Sequence, residues 1–143
     1  MRFVLDASVT LSWLLRDASG RSEAYAFDVL KLMRAPATEI EVPVTWTLEI
    51  ANVIARAEAK GHVTEAESGA FLEMLRAAPI KVDSATAAGA LSDTLQLARR
   101  HRLCAYDASY LELAQRSSLA LATLDAELIR AAAKAGVKRL STQ

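Results

Sequence analysis

Four short apolar-rich runs, each three to five residues long, recur along this chain with helix-forming sequence between them. They are Phe3-Val4-Leu5, Ile40-Glu41-Val42, Ile80-Lys81-Val82 and Leu119-Ala120-Leu121-Ala122-Thr123. Runs this short, bounded by acids and prolines, read as buried strands. Strands that alternate with helices imply βαβ crossovers, and hence an α/β fold with a mainly parallel sheet of right-handed connections. Val137-Lys138-Arg139-Leu140 adds a candidate edge strand, so four to five strands are expected. At 143 residues, 52% of them hydrophobic, the chain suits a single domain over 1–143 with a real core.

The intervening segments carry helix signals. Residues 22–34 hold Tyr25, Val29, Leu32 and Met33 toward the core, and Pro36 ends that run. Trp46, Ile50, Val53, Ile54 and Ala57 form one apolar stripe that stops near Lys60-Gly61. Thr64-Glu65-Ala66-Glu67 has the form of a capping box, and the helix it opens ends before Pro79. Ser84 is placed to cap a helix that runs to about His101. Asp107 begins another, with Leu111 and Ala114 inward. Asp125 opens the last, which closes at Gly136.

In open parallel sheets function gathers beyond the carboxyl ends of the strands, the side on which the following helices start. Asp6 follows the first strand directly, and Asp125 lies just past the fourth. Asp107 sits at a helix start, and Glu49 lies in the first turn of the 46–57 helix, with Asn52 and Arg56 continuing its face. Capping alone explains any one of the aspartates. It does not explain four acids on one edge. Carboxylates that converge keep their protons or recruit a cation. All-oxygen donors select Mg²⁺ or Mn²⁺ over zinc, and such ions bridge naturally to phosphate oxygens. Ser8 and Thr123 are placed to hold a carboxylate, a water or a phosphate, although a local backbone bond is the simpler reading of Ser8.

Charge and cysteine content narrow the classes. Seventeen basic residues balance seventeen acidic ones, which excludes a protein that grips nucleic acid by global charge. One cysteine, Cys104, excludes an internal disulfide and a Cys-cluster zinc site. His62 and His101 form no metal-ligand pattern. No apolar run reaches the roughly 20 residues that a bilayer needs. No secretory leader fits a start that meets Asp6 so early, so a cytoplasmic location is expected.

At these residues the chain resembles the PIN-domain family. Val4-Leu5-Asp6-Ala7-Ser8, Glu49-Ile50-Ala51-Asn52-Val53, Ala105-Tyr106-Asp107-Ala108-Ser109-Tyr110 and Thr123-Leu124-Asp125 match its motifs in order along essentially the whole chain. Within the family it is most similar to the VapC-type toxin ribonucleases of toxin–antitoxin systems. The resemblance implies a three-layer α/β/α sandwich and Mg²⁺- or Mn²⁺-dependent endoribonuclease activity. Asp6, Glu49, Asp107 and Asp125 then take the catalytic, metal-binding positions. Thr123 takes the frequent hydroxyl position, and Asn52 follows the acid as it often does. The resemblance also implies a homodimer and a small antitoxin encoded beside it.

Other residues divide between function and packing. Arg99, Arg100 and Arg102 form a basic cluster suited to RNA phosphates or a partner's acidic surface, or simply to the end of a helix. Arg16 and Arg21, which flank the first loop, face the same choice. The tryptophans and tyrosines read as core, and Cys104 as a small buried residue. Phe27, Leu30, Val63, Phe71 and Leu72 are candidates for an exposed patch that fits a second copy or an inhibitor. Two other functions compete with the toxin reading: a housekeeping RNA-processing nuclease of the same fold, and a non-catalytic protein-binding module whose aspartates only cap helices.

Overall fold

A computed structural model describes residues 1–15 and 21–143, with the side chains of residues 21–23 left out. Arg16, the loop read at residues 17–20 and the side chain of Arg21 therefore lie outside the described residues.

The strands are β1 (Arg2–Leu5), β2 (Glu39–Val42), β3 (Ile80–Val82) and β4 (Ala120–Ala122). They form one all-parallel sheet in the order β3-β2-β1-β4. Phe3, Val4 and Leu5 of β1 are fully buried, as expected of a central strand covered on both faces. The fifth strand expected at Val137–Leu140 is only a single bridge, Leu121 to Arg139.

The connections set the layers. α1 (Ala7–Ser12) and α2 (Arg21–Met33) join β1 to β2, and α3 (Val44–Ala59) and α4 (Glu65–Ala77) join β2 to β3. Both crossovers step the same way across the sheet. The next steps back over β2 and β1 to β4, through α5 (Thr86–Gly89), a π-helical segment (Ala90–Thr94), α6 (Leu95–His101) and α7 (Ala105–Ser117). Right-handed crossovers that step in opposite directions cover opposite faces, which gives the three layers. α8 (Ala126–Lys134) follows β4. The direction reverses between β1 and β4, which makes the carboxyl ends of these two strands the switch point where sheets of this kind form their crevice.

Local signals explain most boundaries. Thr64 caps α4 in a reciprocal box: its hydroxyl accepts from the Glu67 amide at 3.1 Å, and the Glu67 carboxylate accepts from the Thr64 amide at 3.2 Å. Gly61 and Gly136 take positive φ after α3 and α8, where a side chain would be strained. Four expectations need correction. α3 begins two residues before Trp46, so Glu49 sits in its second turn. Asp83, not Ser84, holds the turn into α5, accepting from the Ala85 amide and the Thr86 hydroxyl. The helix expected up to His101 is interrupted by the π segment. Val63 and Phe71 are buried in packing, so of the proposed patch Phe27 alone is exposed, with Leu30 and Leu72 half-covered.

Candidate functional site

Asp6 ends β1 and precedes α1. It occupies the cap position of α1, but its side chain makes no capping bond. Its carboxylate instead accepts two hydroxyl bonds on one oxygen. Ser8 Oγ donates to Oδ2 at 2.5 Å, and Thr123 Oγ1, from the end of β4, donates to the same oxygen at 2.8 Å. Thr123 Oγ1 in turn accepts from the Asp125 amide at 3.0 Å, and Ser8 Oγ accepts from the Leu124 amide at 3.0 Å. The local backbone bond expected of Ser8 is thus replaced by a clamp across the β1–β4 crevice. Its cause is register: Leu5 pairs with Ala122, so the residues that follow each strand emerge side by side.

Asp6 is only 3% exposed. Burial pushes its carboxyl from 3.8 up to about 6; the Ser8 and Thr123 bonds oppose this, and the charges of Asp107 and Asp125 add to it. Glu49, half-buried on α3, is pushed up to about 7 by burial, with Asp6, Asp107 and Asp125 adding. Asp107 is also raised, by burial and then by Asp125 and Glu127. Asp107 and Asp125 thus lie within electrostatic reach of both Asp6 and Glu49.

Their roles as helix caps differ. Asp125 caps α8, its Oδ1 accepting from the Leu128 amide at 2.9 Å. Asp107 does not start α7. It is the third residue, and the cap is Cys104, whose sulfur accepts from the Asp107 amide at 3.5 Å. Cys104 is exposed rather than buried. Capping therefore accounts for one aspartate of the three.

The site contains residues that the sequence reading assigned elsewhere. Tyr110, read as core, is fully buried, yet its hydroxyl donates to Glu49 Oε1 at 3.1 Å. Its position one turn after Asp107 on α7 was the available signal. Trp46 Nε1 donates to Thr10 Oγ1 at 3.0 Å, and Thr10 Oγ1 donates to the Asp6 carbonyl at 3.2 Å, which ties α3 to the acid's backbone. Glu127 raises Asp107 from the start of α8. Tyr106, also read as core, is 66% exposed. Asn52 is exposed on α3 and, among the described residues, bonds to none of the acids. Arg99, Arg100 and Arg102 are exposed at the end of α6, where they complement the helix dipole.

Asp6, Glu49 and Asp125 each keep one carboxylate oxygen without a described hydrogen bond. That leaves hard oxygen donors without a hydrogen-bond partner among the described residues, the chemistry of a Mg²⁺ or Mn²⁺ site. Among the described residues no three such side chains converge closely enough to enclose one ion. The donor set therefore fits an ion held directly by one or two carboxylates, with water completing the shell, as Mg²⁺ prefers.

Comparison with known proteins bears on the family and the fold. A family model described as the PIN domain matches residues 3–134. Ribonuclease VapC3 of Mycobacterium tuberculosis is 33% identical over 130 residues, covering 90% of this chain and 85% of that protein. Two crystal structures share the fold. PAE2754 from Pyrobaculum aerophilum superposes with a TM-score of 0.64 at 23% identity, over 92% of this chain and 87% of the other. FitAcB from Neisseria gonorrhoeae does so with a TM-score of 0.60 at 20% identity, over 99% and 98%.

Proposed function

The chain belongs to the PIN domain family, and from that premise we propose that it is a metal-dependent endoribonuclease, the toxin of a toxin–antitoxin pair, acting in the cytoplasm as a single domain. The observation that carries this reading is the buried Asp6, clamped by Ser8 and Thr123 at the β1–β4 crevice with Glu49, Asp107 and Asp125 around it. The likeness to ribonuclease VapC3 supports RNA as substrate.

Of Asp6, Glu49, Asp107 and Asp125, one or two would hold the ion directly through their open oxygens and the others through its waters. When bound, Mg²⁺ or Mn²⁺ supplies positive charge to the phosphodiester and acidifies water. The protein's part is to fix the donors. Ser8 and Thr123 lock the Asp6 carboxylate from both sides of the crevice, and Tyr110 locks Glu49. Asp6 and Glu49, raised to about 6 and about 7, release their protons close to neutrality, so binding of a cation would be coupled to proton release from these side chains.

An apolar groove of about 530 Å³ supports the antitoxin as partner. It lies between α3, α4 and β3 and is lined by Trp46, Ile50, Ile54, Leu72, Leu75 and Ile80. An amphipathic segment of a small protein would bury its apolar face there. A homodimer accompanies this reading, since Val44, Leu48 and Leu91 are exposed apolar residues that a second copy would cover. No described helix is long and apolar enough to cross a membrane.

The test is incubation of inhibitor-free protein with a pool of structured RNAs in Mg²⁺, Mn²⁺ or EDTA, beside Asp6→Asn. Discrete cuts that need the metal and vanish in the variant are expected. Cutting by Asp6→Asn at the wild-type rate, or folded protein that never cuts, would defeat the reading.

A further inference from the structure

Four acids at one crevice repel a polyanion, and the chain's net charge of zero offers no long-range attraction to offset this. An RNA-cleaving site of this kind needs a fixed cation close by. The basic cluster at Arg99, Arg100 and Arg102 is exposed, but none of its side chains is bonded to a site residue among those described.

Arg139 is. Its backbone bridges β4 at Leu121, and the Leu140 amide donates to the Leu121 carbonyl at 2.9 Å, so this segment runs beside β4 toward the crevice. The side chain reaches the sheet's carboxyl edge, where Nε donates to the Thr123 carbonyl at 3.1 Å. Thr123 is the residue whose hydroxyl holds Asp6. The guanidinium carbon lies 3.9 Å from the centre of the Tyr25 ring, and that ring is itself anchored, its hydroxyl donating to the Leu140 carbonyl at 3.0 Å. Among the described residues no carboxylate forms an ion pair with Arg139.

We propose that Arg139, stacked on Tyr25 and tethered to Thr123, is a substrate-binding residue that holds a backbone phosphate of the RNA at the rim of the carboxylate cluster. The inference rests on the nuclease reading above. With Nε and one face of the guanidinium plane committed, the Nη1 and Nη2 donors are left to grip two phosphate oxygens end-on. The bond to Thr123 and the contact with Tyr25 restrain the side chain, so less conformational entropy is lost when phosphate binds.

Binding of a labelled pool of structured small RNAs to the full chain, measured as a function of salt in the Asp6→Asn background, tests this. Arg139→Ala should weaken binding about tenfold at 0.1 M salt, and should lower the slope of log affinity against log salt by about 0.7–0.9, the value of one phosphate contact. Arg139→Gln keeps a donor for the Thr123 carbonyl but removes the charge, and should lose the same slope; it decides the matter if the alanine variant misfolds. Lys60→Ala, at the far end of α3, should change neither quantity. In the cleaving background, Arg139→Gln should raise KM more than it lowers kcat. Folded Arg139→Gln with wild-type affinity and slope would overturn the proposal and leave the nuclease reading standing, provided the parent cuts RNA in a metal-dependent way. A parent that neither binds nor cuts the pool would overturn both.

Discussion

Asp6→Asn should abolish cleavage and at the same time stabilise the metal-free protein. Asp6 is buried, and its carboxyl rises from 3.8 to about 6 chiefly because burial penalises the charge. At about 1.36 kcal/mol per pH unit, the ionised group costs the native state on the order of 3 kcal/mol. Asparagine is neutral and keeps an oxygen for Ser8 and Thr123, but it buries an amide that needs its own partner. A net gain of about 1–2 kcal/mol remains, or about 3–6 °C in Tm for a chain of this size. The pH window follows from proton binding. Between about pH 4 and 6 the native carboxyl holds a proton that the unfolded chain has released, so wild-type stability falls as pH rises through this range. The penalty is complete above about pH 6 and absent below about pH 4. The variant should therefore be less stable than the wild type by about 1–2 kcal/mol at pH 4, where only the buried amide counts, overtake it as the pH rises toward 6, and keep its advantage at pH 8. Loss of the Asp6 charge also relieves Glu49, which Asp6 helps to raise. Saturating Mg²⁺ or Mn²⁺ should reverse the order, because an ion at a hundred times its Kd stabilises the wild type by about 2.7 kcal/mol. Thermal melts at pH 4.5 and 8, in EDTA and in Mn²⁺, read all of this. Equal Tm values at pH 8 in EDTA, or equal stabilisation of both proteins by Mn²⁺, would refute the reasoning.

Tyr110→Phe removes the hydroxyl that fixes Glu49 and keeps the buried ring. Groups that orient a ligand in this way are worth about 10–100-fold in metal affinity. Titration calorimetry with Mn²⁺ should show a loss in that range, and an unchanged affinity would remove Tyr110 from the site. Thr64→Ala breaks the capping box of α4 and should cost about 1 kcal/mol, or about 3 °C in Tm, while RNA cleavage stays at the wild-type rate.

The site's residues were legible to different degrees. Asp6 and Asp125 were singled out because one directly follows and the other lies just past a strand that its own composition announces, and Glu49 because the stripe of α3 is unbroken from Trp46 to Ala57. Thr123 was found by its neighbours in sequence. Ser8 was assigned a local bond because its partners, Thr123 and Leu124, lie more than a hundred positions away. Tyr110 and Arg139 escaped because each reads as something ordinary, a core aromatic on α7 and a residue of an edge strand.

What the sequence determined by itself is local: the four strands, most helices, the caps at Thr64 and Asp125, and the placing of acids just past strands or near helix starts. Periodicity and capping act over a few residues, and those interactions are written in neighbouring side chains. The tertiary structure decided the rest. The order β3-β2-β1-β4 sets β1 beside β4, and only that pairing brings Ser8 and Thr123 onto one oxygen of Asp6. Burial was also a tertiary decision. It exposed Cys104 and Tyr106, covered Val63 and Phe71, and raised Asp6 and Glu49, because a side chain's access to water depends on elements that pack from distant parts of the chain.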